Sequence, residues 1–183
     1  MSSRLCLLSS VALAVLATSL ACPTVQPCSQ EPCRYKCPSG AWIFNPQNNH
    51  CYTAFNDRKY TFNEAETLCQ SLGAHLPSIL SLAEDEFIVE WMGGWIRDGH
   101  PLWTGLRANW AIVVGSRTSW TDGCPIVFQN MHHGDIIGDP AKECGQMIHS
   151  KNNLNAMSDY PWQFVSCEEA KNPILCKKPA ELQ

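Results

Sequence analysis

The chain has 183 residues, of which 45% are apolar and 16% charged, and its formal net charge is -4. The apolar fraction is ample for a packed core and excludes a disordered chain, while the length suits one domain, or one domain with a tail. A net negative charge gives no footprint for a phosphate backbone, so no nucleic-acid partner is expected.

The N-terminus predicts export. Arg4 precedes an apolar run from Leu5 to Leu20, and Ser19-Leu20-Ala21 offers a small-x-small cleavage site, so residues 1–21 read as a signal peptide. A membrane anchor is the rival, but the run is short for a span of about 20 residues and carries Ser9, Ser10, Thr18 and Ser19. No later stretch is apolar and long enough to cross a bilayer, and no Asn-x-Ser/Thr sequon occurs. Eleven cysteines with no C-x-x-C pair point to disulfides in an oxidising compartment; loss of Cys6 with the signal leaves an even set.

Residues 22–36 are rich in Cys, Pro and Gln without apolar periodicity and read as a stapled or flexible leader. The folded unit is expected over 37–178, with 179–183 as a C-terminal tail. Thr61-Phe62-Asn63-Glu64 and Ser81-Leu82-Ala83-Glu84 both fit the capping box. In the first helix Phe62, Ala65, Leu68, Cys69 and Leu72 share a face and Gly73 suits a left-handed C-terminal residue, which predicts a helix over 62–72. In the second, Ile88, Trp91, Met92 and Trp95 share a face, and Gly93-Gly94 predicts fraying after Met92. Beyond residue 100, short strand-like pieces at 102–106, 118–121, 144–148, 162–167 and 174–177 lie between polar connections, so the class is α+β. The connection from Asp122 to Glu143 exceeds an ordinary loop, and loops of that length are usually functional or disordered.

These residues in order resemble the C-type lectin-like domain in its long form. The resemblance runs from Cys37 to Cys176. Its pieces are Cys37-Pro38, Trp42 and Cys51-Tyr52; Thr61-Phe62-x-Glu64-Ala65-x-x-x-Cys69; Gly73-Ala74-His75-Leu76; Leu102-Trp103-Thr104-Gly105-Leu106; and Trp120-x-Asp122-Gly123-x-Pro125 leading to Asn130. The end is the most specific part, with Trp162 five residues before Cys167 and Cys167 nine before Cys176. The resemblance implies two helices flanking small antiparallel sheets and a long irregular loop on one side. It also implies the pairs Cys37–Cys51, Cys69–Cys176 and Cys144–Cys167. The second of these closes a loop of about 108 residues, worth roughly 4 to 5 kcal/mol in the loop-entropy description. Cys22, Cys28, Cys33 and Cys124 are left with three possible pairings. A bond from Cys124 to the leader is our reading; a disulfide-linked dimer is the rival.

Members of this family that bind sugar through calcium use a Glu-Pro-Asn or Gln-Pro-Asp triplet, an acid before the cysteine, and Asn-Asp after a Trp. Calcium wants six to eight oxygens at about 2.3 to 2.6 Å. Here Gln163-Phe164 follow Trp162, and Phe164 offers no oxygen. The triplet falls on Asp135-Ile136-Ile137 or on Asp139-Pro140-Ala141, with an apolar third member either way. Glu143 stands before Cys144, but Lys142 takes the place of a second acid, and no Asp or Glu lies between Gly105 and Asp122. The standard site is therefore expected to be degenerate, with calcium disfavoured and no cofactor required. A zinc site from His132, His133, Asp135 and His149 is conceivable, but solvated loop residues are the simpler reading. No nucleophile elbow, H-E-x-x-H or phosphate loop is present, so the chain is not read as an enzyme. The candidate ligand-binding residues are Trp110, Phe128, Asp135, Asp139, Glu143, Gln163 and Phe164, with Trp110 expected as an exposed anchor. Trp42, Trp91, Trp103, Trp120 and Trp162 are expected in the core. The sequence thus predicts a secreted, extracellular binding protein whose ligand is a glycan or an extracellular protein.

Overall fold

The structure is a computed structural model that describes residues 22–27, 34–111, 118–132, 138–150 and 158–183. Residues 1–21, Cys28, Cys33, His133 and Asp135 lie outside the described residues, and with them the expectations made there.

The elements in order are β1 (Tyr35–Lys36), β2 (Ile43–Asn45), β3 (His50–Phe55), α1 (Phe62–Ser71), α2 (Leu82–Arg97), β4 (Leu102–Ala108), β5 (Thr118–Trp120), β6 (Cys144–Met147), β7 (Trp162–Val165), β8 (Ile174–Pro179) and β9 (Glu181–Leu182). They form three antiparallel sheets ordered β1-β9, β2-β3-β8 and β5-β4-β6-β7. The smallest pairs Tyr35 with Leu182 and Lys36 with Glu181, so the sheet framework takes in residues on both sides of the expected 37–178 unit.

Helix α1 starts as its capping box requires. Thr61 Oγ1 accepts from the Glu64 amide at 3.4 Å, and Glu64 Oε2 accepts from the Thr61 amide at 2.9 Å. It ends where Gly73 takes φ 64°, a conformation glycine enters without a Cβ penalty. The second box is only half made. Ser81 Oγ accepts from the Glu84 amide at 3.2 Å, but the Glu84 carboxylate turns inward to the Leu80 amide, to Tyr52 and to Lys177.

Helix α2 corrects two expectations. It does not fray after Met92 but runs on to Arg97. Gly93 is the seat for Tyr160, because a Cβ there would lie 3.2 Å from Tyr160 Oη, whose hydroxyl donates to the Gly93 carbonyl at 3.4 Å. The cost of a helical glycine, about 1 kcal/mol, is met by that contact and by burial of Ile96. The buried stripe accordingly runs Ile88, Met92, Ile96, while Trp95 is 43% exposed.

The four-stranded sheet separates two cores, since alternate residues of a strand point to opposite faces. Leu102, Leu106, Met147, Trp162 and Phe164 face Ile88, Met92 and Ile96 of α2. Trp103, Cys144 and Val165 face Phe62, Ala65 and Cys69 of α1. Among the expected core tryptophans, Trp103, Trp120 and Trp162 are buried, and Trp42 and Trp91 are half-buried.

Four disulfides join the described residues: Cys37–Cys51, Cys69–Cys176, Cys144–Cys167 and Cys22–Cys124. The last carries a leader residue to the start of the long loop across a sequence separation of 102. Below it lies a buried ionic chain. Tyr52 donates to Glu84 at 2.6 Å, Glu84 pairs with Lys177, and the Lys177 ammonium also donates to the Ser78 carbonyl at 2.7 Å. Ser78 donates to Asp122, whose other oxygen accepts from the Cys124 amide at 2.9 Å. Burial, and then the Glu84 charge, hold the Tyr52 phenol well above its ordinary pKa.

Candidate functional site

The described parts of the long loop pack on the end of the four-stranded sheet that holds Trp162, Phe164 and Trp120. Residues 130–132 follow β7: the Trp162 amide donates to the Asn130 carbonyl and the His132 amide to the Trp162 carbonyl, both at 2.6 Å. The Trp162 ring meets Trp120 and Phe128 edge-on, with centroids 5.5 and 5.6 Å apart. Its indole N–H donates to Asp85 Oδ1 at 3.1 Å.

Asp85, on α2, is fully buried and gathers the loop base onto the helix. Besides Trp162 it accepts from Asn130 Nδ2 at 3.2 Å and from Ser158 Oγ at 3.4 Å. No cation pairs with it among the described residues. Burial pushes its carboxyl up to about 6, against the three donors, which favour the charged form. The sequence offered no local sign of this role, because the donors lie 45, 73 and 77 residues away.

On the neighbouring part of the surface, Trp110 stacks edge-on against Phe164 at 5.2 Å, and its N–H donates to the Lys142 carbonyl at 2.9 Å. Trp110 is half-buried, which corrects its expected role as an exposed anchor: the ring is needed to cover Phe164, only 4% exposed. Phe128 is likewise half-buried, against Trp162. Asp139 closes a turn through the Ala141 amide at 3.0 Å and lies 3.8 Å from Lys142 Nζ, a surface pair of small worth. Gln163 is half-buried and points to the α1 side of the sheet, away from Phe164, because the two are adjacent in β7. The candidate residues are therefore not one cluster. Trp110, Phe164 and Lys142 meet; Asp139 joins them through Lys142; Gln163 is turned away.

Glu143 lies in a different setting. It lines a cavity of about 270 Å³ with Arg107, Ala108, Asn109 and Ser119 at the edge of the four-stranded sheet. Arg107 and Ser119 are in register on β4 and β5 and so share a face. Arg107 was not singled out from the sequence; a cation near the end of the buried Leu102–Ala108 strand was the available signal.

Among the described residues, no three His, Cys, Asp or Glu side chains converge in a way that could hold a metal ion, and no helix is long and apolar enough to cross a membrane.

Comparison with known proteins places the domain. The C-type lectin domain model matches residues 58–178. Snaclec rhodocytin subunit alpha of Calloselasma rhodostoma is 37% identical over 140 residues, covering 73% of this chain and 91% of that one. Lymphocyte antigen 75 of Mesocricetus auratus is 28% identical over 152 residues, and the match spans 78% of this chain but only 8% of that protein. Two solved structures superpose with a TM-score of 0.60 at 26% identity. One is the C-type lectin domain of murine dendritic cell inhibitory receptor 2 in complex with N-glycan, covering 79% of this chain and 99% of that one. The other is a calcium-independent type II antifreeze protein, covering 80% and 97%. The resemblance read from the cysteine, tryptophan and glycine spacing is thereby shown, and the chain belongs to the C-type lectin domain family.

Proposed function

We propose that the chain is a secreted, extracellular binding protein that takes a carbohydrate by direct side-chain contact at the long-loop end, without a calcium ion. The observation that carries this reading is the Trp110–Phe164 contact. Phe164 stands where calcium-holding members carry an acid, and it is buried under an indole, so the position has neither an oxygen nor room for a hydrated ion. The Lys142 carbonyl fixes that indole over the position. These residues do not fit a calcium site, and no step of recognition is assigned to the ion. Two solved relatives support the two halves of the reading, one by its N-glycan complex and the other by its calcium independence. Secretion is supported by the apolar run at residues 5–20 and by the disulfides of the described domain.

A protein partner is the second reading. It is favoured by Val127, 66% exposed on the loop, and by a relative whose name marks it as a subunit of an assembly. A glycan array read with calcium and again with chelator tests the proposal. Chelator-resistant binding is the expected result. Chelator-sensitive binding would restore an ion to the site, and silence would favour the protein partner.

A further inference from the structure

The cavity of about 270 Å³ beside the long loop is lined by Arg107, Ala108, Asn109, Ser119 and Glu143. Its charged groups do not satisfy each other. Arg107 and Glu143 share the cavity without forming an ion pair, and no carboxylate of the described residues lies within ion-pair distance of the Arg107 guanidinium. The guanidinium itself makes only weak contacts, with Nη2 donating to Cys167 Sγ at 4.0 Å and Cζ lying 5.4 Å from the Phe62 ring centroid, and neither supplies an anion to its N–H donors. Asn109 uses its carbonyl oxygen on the Ala111 amide at 3.2 Å, which leaves its amide N–H groups to donate. Ser119 lies beside Arg107 in register and is exposed. Three donor groups, one of them charged, thus line a cavity with one acceptor-only group, Glu143.

We propose that this cavity is a subsite for a sugar that carries a carboxylate. The inference deepens, and rests on, the reading of the chain as a calcium-independent carbohydrate binder. Arg107 takes the carboxylate through paired N–H donors, with Asn109 and Ser119 on its flanks. Glu143 accepts from a ring hydroxyl of the same sugar. The pairing of an unanswered guanidinium with a separate carboxylate selects this class. A neutral sugar leaves Arg107 unanswered, and a simple anion gains nothing from Glu143 and is repelled by it.

The test uses the full disulfide-bonded chain and free monosaccharides followed by NMR titration. Glucuronic acid and N-acetylneuraminic acid are compared with glucose and galactose, with acetate and glycine as controls. The acidic sugars are expected to bind and the neutral sugars to bind at least tenfold more weakly. Arg107→Lys keeps the charge but not the planar fork, and is expected to weaken acidic-sugar binding roughly tenfold. Ser119→Asp, at an exposed position, sets a carboxylate against the ligand and is expected to abolish it, and Glu143→Gln to weaken it roughly threefold. The proposal is overturned if neutral and acidic sugars bind alike, if acetate or glycine binds as well as the acidic sugar, or if folded Arg107→Lys and Ser119→Asp proteins bind as before. Neutral glycans bound on the array by the unsubstituted chain, with no acidic-sugar binding in the titration, would remove this subsite and leave the broader reading standing. Silence on the array together with no titration would remove both.

Discussion

Helix α1 buries one carboxylate, Glu66, and helix α2 buries two, Glu84 and Asp85; the surroundings push Glu66 and Asp85 in opposite directions. On α1, burial alone would raise Glu66, but it accepts from the half-exposed His75 ring at 2.6 Å, from the Leu76 amide at 2.9 Å and from Gln70, and its pKa is net lowered. On α2, Asp85 meets only neutral donors, from Trp162, Asn130 and Ser158, with Glu86 the nearby charge and one of the same sign; it rises to about 6. The contrast follows the two cores. The α1 side is tied by Cys69–Cys176 and Cys144–Cys167 and keeps its ionic contact near the surface. The α2 side, which carries the long loop, relies on stacked aromatic rings, buried ions and, among the described residues, the staple Cys22–Cys124. One side is tied by two disulfides with its ionic contact near the surface; the other depends on ions and rings buried within it.

Breaking the buried ion pair should separate the two sides most. Lys177→Met leaves Glu84 charged with both partners' side chains only 4% and 2% exposed, and should cost about 3 to 5 kcal/mol in urea unfolding. A loss under about 1 kcal/mol would mean that Glu84 reaches water without Lys177. Next comes the staple. Cys22→Ser is expected to cost roughly 2 to 4 kcal/mol, and non-reducing mass measurement should find the unsubstituted protein as a monomer, as an intrachain Cys22–Cys124 bond requires.

The carboxylates sharpen the comparison through pH. Asp85 has a folded pKa above its ordinary 3.8, so its contribution is full below that value and is lost as pH rises through about 6. A shift of about two units corresponds to about 3 kcal/mol, and Asp85→Asn should flatten the stability profile between pH 4 and 7. The α1 pair behaves as the mirror image. Glu66 is lowered and His75 is raised, chiefly by their mutual hydrogen bond in the case of His75, so their stabilisation is full between about 4.5 and 6.5 and fades on both sides. With the His75 side chain 30% exposed, His75→Ala should cost only about 1 kcal/mol at pH 5.5 by thermal unfolding.

Local chemistry in the sequence carried the α1 capping box, the Gly73 stop, the strand pieces of the four-stranded sheet and the aromatic positions that fill the two cores. What it could not carry was set by contacts between distant residues. Gly93 looks like a helix breaker until Tyr160 is seen to need its space. Glu84 looks like the second half of a capping box until Tyr52 and Lys177 draw it inward. Trp110 looks like an exposed anchor until Phe164 is found beneath it. Of the site candidates, Glu143 was legible as an acid before a cysteine, but its setting with Arg107 depends on strand register across β4, β5 and β6.

The central claim, that ligand recognition has been separated from calcium, is tested most directly by calorimetric titration of calcium chloride into the full disulfide-bonded chain. On the proposed reading no saturable heat is expected, because Phe164 offers no oxygen and packs against Trp110. A stoichiometric site of roughly micromolar affinity, within the range of calcium sensors, would contradict it.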